Sequence, residues 1–75
     1  MPSIGRVNGI VFYVYASDHA PPHLHAIYAE HEALLLVDTG ALYAGSLPAP
    51  QLADAQAWLA ANRDAARAAW LRLNP

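Results

Sequence analysis

The stretch His23–Asp38, HLHAIYAEHEALLLVD, decides the fold of this chain. Two parts of it, His23–Tyr28 and Glu32–Asp38, are rich in apolar residues over lengths typical of strands. Ala29-Glu30 between them predicts a tight connection. The pattern therefore predicts an antiparallel hairpin whose side chains alternate between two faces of a sheet.

Further strands are predicted on both sides of this hairpin. The segment Ile10–Tyr15 (IVFYVY) is β-branched and aromatic throughout, as expected for an interior strand. Thr39-Gly40 predicts a two-residue hairpin turn, after which Ala41–Ser46 supplies another strand. Together these segments predict a four-stranded, mainly antiparallel β-meander.

The composition changes near Leu47, and the sequence beyond it is rich in alanine. The spacing of apolar residues predicts a helix over Gln51–Ala61, and Asn62 can cap a second helix that runs to about Leu73. A single bent helix is the alternative. Residues 1–75 are therefore expected to form a single small α+β domain with two C-terminal helices packed on one face of the sheet.

The turns determine which residues share a face of the sheet. Two-residue turns place His23, His25 and Ile27 on one face, which we call the histidine face. The opposite face is more uniformly apolar, so we expect the helices there and the histidine face open to solvent, a ligand or a second subunit. The histidine face also carries Leu34, Leu36, Asp38 and Tyr43, and the opposite face carries Leu24, Ala26, Tyr28, Leu35, Val37, Leu42 and Ala44.

Composition narrows the classes of function. The chain has no cysteine, which excludes disulfides and thiolate ligands, and its net charge of −2 disfavours broad binding to nucleic acid. A hydrophobic content of 56% predicts apolar surface covered by a partner or a second subunit, and we expect a homo-oligomer. No segment has the pattern of a signal peptide or a membrane span, so we expect a cytoplasmic protein.

The segment DHAPPHLH at positions 18–25 carries the candidate chemistry. His23 and His25 leave the same face of a strand about 7 Å apart at Cα. Such a pair can ligate a divalent transition metal such as zinc, and His19 is the nearest further histidine in the sequence. The sequence offers as third ligands His19, Asp18, Glu30, His31 and Asp38.

Two other uses of the histidines stay open. Acid–base chemistry of the kind used by small RNases needs a base, an acid and a cation, for which His19, His23, His25, Arg6 and a tyrosine are the candidates. Alternatively, the imidazoles serve the structure by hydrogen-bonding backbone groups beside the Pro21-Pro22 turn. The candidate catalytic residues are thus His19, His23, His25 and Arg6, and the candidate metal ligands are His19, His23 and His25.

The chain resembles a small bacterial family of unknown function, domain-of-unknown-function family 4160 (DUF4160). The resemblance rests on the residue run 9–11, on the run DHAPPHLHAIY at 18–28, on GSLP at 45–48, and on Trp58 and Trp70. It spans nearly the whole chain. Its signature positions are Arg6, His19, Pro21, Pro22, His23 and His25.

The resemblance implies a bacterial protein with a small protein partner of the type of domain-of-unknown-function family 2442 (DUF2442). Such pairs are suspected of forming toxin–antitoxin modules, so we expect the chain to be a component of a module of this kind, on the toxin side, with the histidine cluster as its active or ligand-binding site. If the chain is an enzyme, we expect a small RNase-like or metal-assisted hydrolase. The alternatives are a non-enzymatic metal- or ligand-binding accessory domain and a purely structural oligomer-forming domain.

Overall fold

Five antiparallel strands and two helices form the fold in the computed structural model, which describes residues 3–75. The strands lie side by side in chain order, which confirms the α+β class and the antiparallel meander, with one strand more than predicted. Predicted bounds of the other elements differ from the observed ones by at most two residues. The elements are β1 (Ser3–Val7), β2 (Ile10–Tyr13), β3 (His23–Tyr28), β4 (His31–Leu36), β5 (Leu42–Gly45), α1 (Ala49–Ala61) and α2 (Arg63–Leu73).

The additional strand is β1, which pairs with β2 across a tight turn. Val7 is opposite Ile10, and Asn8 and Gly9 between them have φ angles of 48° and 80°. Asn-Gly is a strong sequence signal for a hairpin turn in which both central residues have positive φ. The prediction of four strands was wrong because Ser3–Val7 contains a glycine and little apolar periodicity, although the turn after it carried the signal.

The hairpin of β3 and β4 has the predicted register. Tyr28 is opposite His31 across the turn, while His23 and His25 are opposite Leu36 and Leu34. Because opposite residues share a face, the predicted composition of the histidine face in these two strands is confirmed.

The connection from β4 to β5 is wider than the predicted Thr39-Gly40 turn. The N–H of Gly40 donates to the carbonyl of Leu36 at 2.7 Å, and β5 begins only at Leu42. An irregularity in the pairing places Ala44 opposite Leu34, so Ala44 lies on the histidine face, contrary to the prediction. Leu42 is on the predicted face but is 43% exposed.

Side chains from the helices hold this wider connection in place. Gln56 donates its amide N–H to the carbonyl of Gly40 at 2.9 Å, and Arg63 donates to the carbonyl of Val37 at 2.7 Å. These bonds from the helices satisfy two backbone carbonyls of the connection. Tertiary contacts therefore override the local turn signal of Thr39-Gly40.

The helices pack on the face of the sheet opposite the histidines, as predicted. Leu24 and Leu35 of the sheet and Leu59 of α1 are fully buried there. Trp58 stacks on Phe12 with ring centroids 4.1 Å apart. The core is completed by Ile10, Val14, Ala26, Ala33, Val37, Leu47, Ala55, Ala66, Ala69 and Trp70.

The break between α1 and α2 falls at Asn62, as predicted. Its side chain does not cap α2 but donates to the carbonyl of Trp58 at 2.8 Å, at the end of α1. Within residues 3–75, neither helix has the length and apolar character needed to cross a membrane.

Candidate metal centre

The loop between β2 and β3 folds back over the start of β3 and carries Asp18 to the two histidines. Oδ2 of Asp18 lies 3.0 Å from Nε2 of His23 and 3.1 Å from Nε2 of His25. The two imidazole rings lie side by side, with centroids 5.3 Å apart. Strand alternation thus presents both rings to one point, and the loop supplies a carboxylate there.

The other nitrogen of each ring faces a hydrogen-bond acceptor. Nδ1 of His23 lies 2.8 Å from the carbonyl oxygen of Pro21, and Nδ1 of His25 lies 2.9 Å from Oε2 of Glu32. A carbonyl and a carboxylate only accept, so each Nδ1 carries a hydrogen and donates it. In a neutral ring this leaves the lone pair on Nε2, which is the atom that faces Asp18.

Three electron-rich atoms therefore converge when both rings are neutral. Hydrogen bonds from both rings to Asp18 would require a second proton on each, giving two cationic rings around one carboxylate. A cation held between the three side chains satisfies all of them with no added proton. One ligand atom from each of Asp18, His23 and His25 lies within 4.8 Å of the others. Ligand atoms of a tetrahedral zinc ion are about 3.3 Å apart, which is close to the distances from Oδ2 of Asp18 to the two Nε2 atoms.

The site is closed on the side of His23 and accessible on the side of Asp18. The side chain of His23 is only 3% exposed, whereas that of Asp18 is 20% exposed. His23 contacts Trp70 of α2 and Tyr43, with ring centroids 5.1 and 6.0 Å away. The expectation that the histidine face is open is wrong at His23, because the end of α2 reaches that corner of the sheet.

The electrostatics of the site favour an ionised Asp18. Burial would raise the pKa of Asp18, but the polar contact with His25, the hydrogen bond from the backbone N–H of His19 and the nearby His23 outweigh it. The pKa of Asp18 is consequently lower than its ordinary value. The pKa of Tyr15 is raised by burial and by Glu32, Tyr13 and Asp18, so this phenol beside His25 is uncharged near neutral pH.

The C-terminal end of α2 holds the loop that carries Asp18. Oδ1 of Asn74 accepts the N–H of Asp18 at 2.8 Å, and Nδ2 of Asn74 donates to the carbonyl of Tyr15 at 3.0 Å. Within the loop, the N–H of His19 donates to Oδ1 of Asp18 at 2.8 Å. Residues separated by more than fifty positions in the chain thus orient one carboxylate.

The structure brings together only part of the predicted site. His23 and His25 meet, and the third member is Asp18, one of the sequence candidates, while His19 is exposed and contributes its backbone N–H. Arg6 is also exposed; it pairs with Val11, so it lies two strands away from β3. The catalytic roles assigned to these residues stay predictions.

Two residues of the site escaped the sequence reasoning. Glu32 was not among the predicted site residues, although the predicted register places it on the histidine face near His25. Asn74 carried a signal in the repeated pattern Trp-Leu-x-x-Asn, which ends at Asn62 just after α1 and at Asn74 just after α2. Each asparagine donates to the carbonyl of the tryptophan four positions before it.

Fold and site define a small α+β protein with a carboxylate–histidine cluster at one corner of its sheet. The chain belongs to the family described as a domain of unknown function, DUF4160, whose model matches residues 9–71 and so includes the whole cluster. Neither the curated proteins nor the solved structures compared with the chain contain a match.

Proposed function

We propose that this protein binds a divalent transition metal ion of the zinc class through Asp18, His23 and His25. The observation that carries the proposal is the convergence of two Nε2 atoms on one carboxylate while both Nδ1 atoms donate to fixed acceptors. Metal-bound histidines characteristically donate their other ring N–H to a carbonyl or a carboxylate, which orients the ring. Pro21 and Glu32 supply those two acceptors here.

The donor set selects the class of metal. Imidazole nitrogen suits zinc and its first-row neighbours, whereas calcium and magnesium prefer sites made of oxygen. Three protein ligands leave one position of a tetrahedral ion for water or for an atom of a bound molecule, as in catalytic zinc sites. An accessory domain that binds metal or ligand and a metal-assisted hydrolase both use such a position.

The test is to titrate untagged, metal-free protein with Zn²⁺ and with Co²⁺. Calorimetry measures the binding of Zn²⁺, and the absorption bands of Co²⁺ report its binding. We expect one ion per chain, and loss of most of the affinity in Asp18→Ala and His25→Ala. His31→Ala is the matched control, because His31 lies at the far end of β4, beside Tyr28 and Glu30. His19→Ala is expected to bind as the wild type does.

Metal binding is also expected to stabilise the fold, since an ion held only by the folded state adds to its stability. At free Zn²⁺ one hundred times the dissociation constant, the gain is about 2.7 kcal/mol. The gain should disappear in His25→Ala and persist in His31→Ala. The proposal would be contradicted if the wild-type chain did not bind metal stoichiometrically. It would also be contradicted if His25→Ala and His31→Ala lost metal affinity equally.

A second candidate function is the cytoplasmic toxin-side component of a bacterial toxin–antitoxin-like module with a DUF2442-type protein. The protein partner that it requires is supported by the apolar part of the histidine face, where Val11, Ile27 and Leu34 are half-buried. We expect that expression in bacteria slows growth, that His25→Ala relieves the effect, and that co-expression of the partner does so too. Equal growth of the wild-type and His25→Ala cultures would remove this candidate.

A further inference from the structure

Asn74 lies outside α2, yet it makes three hydrogen bonds that involve its side chain around the candidate metal centre. It accepts the N–H of Asp18 and donates to the carbonyls of Tyr15 and Trp70, at 2.8, 3.0 and 3.2 Å. Both the acceptor oxygen and the donor nitrogen of the amide are thereby used. No other standard side chain presents an acceptor and a paired donor at this length from the backbone.

These bonds fix the part of the site that local structure leaves undetermined. His23 and His25 are held by the strand pairing of β3 with β4, whereas Asp18 lies in an irregular loop. Asn74 holds the backbone of this loop at Tyr15 and at Asp18 itself. Trp70, which contacts His23, lies in the last turn of α2, so the C-terminal end of this helix supports the buried histidine and, through Asn74, the carboxylate.

Asn62 shows that this arrangement is not simply how a helix ends. It occupies the same place after α1, and its amide donates to the carbonyl of Trp58 at 2.8 Å, as Asn74 donates to that of Trp70. Trp58 stacks on Phe12 in the core, on the face of the sheet opposite the histidines. Substituting each asparagine therefore distinguishes the effect of losing the capping bond, which both make, from the effect of losing the bonds to the loop, which only Asn74 makes.

We infer that Asn74 is the positioning residue of the candidate metal centre, holding Asp18 where its carboxylate meets Nε2 of His23 and of His25. The consequence for metal affinity rests on the proposed function, but the placement of Asp18 does not. Groups that orient metal ligands from outside the coordination sphere typically contribute about 10- to 100-fold to affinity. A loss of at least about tenfold in zinc affinity is expected for Asn74→Ala.

The experiment compares Asn74→Ala with Asn62→Ala in the full chain. Each substitution removes one capping bond to a tryptophan carbonyl, so a loss of stability from that bond affects both variants alike. Zinc affinity and the Co²⁺ absorption spectrum are measured, together with the imidazole ¹⁵N NMR signals of the metal-free protein. We expect lower affinity, an altered Co²⁺ spectrum and displaced signals of His23 and His25 in Asn74→Ala alone.

The outcomes separate the two proposals. If the wild-type chain binds metal and both variants bind it equally well, the inference about Asn74 is overturned. If the wild-type chain binds no metal but the imidazole signals move only in Asn74→Ala, the positioning role stands and the metal proposal fails. Unmoved signals overturn the inference in either case. Should Asn74→Ala fail to fold, Asn74→Leu and Asn62→Leu repeat the comparison, because leucine is close to asparagine in size and removes both the acceptor and the donors.

Discussion

The two faces of the sheet differ in what their side chains do, although they alternate along the same strands. On the helix-covered face, Leu24 and Leu35 are fully buried in the core. On the histidine face, His25 and Leu34 occupy the neighbouring positions and stay partly exposed. In the HLHA sequence of β3, successive side chains thus point to opposite faces of the sheet. Leucine and alanine contribute to the core, and the two histidines contribute to the candidate site.

Truncation of paired leucines on the two faces is expected to show the largest difference. Leu24→Ala removes a fully buried side chain from the core, and such changes typically cost about 2–5 kcal/mol. Leu34→Ala, on the histidine face, should cost less than half as much, because its side chain is partly exposed in the folded state. Urea unfolding of both variants measures the free energies, and equal losses would show that the two faces contribute alike to stability.

A smaller effect is expected from adding a single methyl group to the helix-covered face. Gly5 is opposite Phe12, and a Cβ at Gly5 would clash with Cζ2 of Trp58. Gly5→Ala should therefore push Trp58 off Phe12 and cost about 1–3 kcal/mol, as overpacking does.

The neighbouring residue supplies the control for this prediction. Arg6 is exposed on the same strand, so Arg6→Ala should change the free energy of unfolding by no more than about 0.5 kcal/mol. Both values come from thermal or urea unfolding. A tolerated methyl group at Gly5 would mean that β1 is not packed against α1, and the additional strand would lose its structural role.

The sequence could predict the features of the fold and the site that depend on local patterns, but not those that depend on tertiary contacts. Repeating patterns were sufficient for the hairpin of β3 and β4 and for both helices. They also placed His23 and His25 on one face, since alternation and register are local properties. The β4–β5 connection was not predictable in this way, because Gln56 and Arg63 hold it from the helices.

The third member of the cluster shows the limit of local reasoning most clearly. Asp18 could be listed as a candidate ligand, but its meeting with the histidines depends on an irregular loop. That loop is held by Asn74, at the opposite end of the chain. No periodicity links these positions. The burial of His23 under Trp70 has the same origin, because it depends on where α2 ends rather than on β3.

The smallest effect on stability, and the sharpest test of the histidine face as a binding surface, is expected from Ile27→Lys. Ile27 lies on this face beside Val11 and opposite Glu32, and is half-buried. A lysine there can extend its chain over the sheet and keep its charge in water, so the isolated fold should change little in stability. A charge in the centre of an apolar interface is costly, so any self-association through this face should be lost.

Light scattering of the wild-type and variant chains measures the mass, with Leu71→Lys, an exposed leucine on α2, as the matched control. The proposal of a homo-oligomer joined through the histidine face requires an associated wild type, a monomeric Ile27→Lys and an unchanged Leu71→Lys. A wild-type chain that is already monomeric at high concentration would leave this face to a different protein or to the metal site alone.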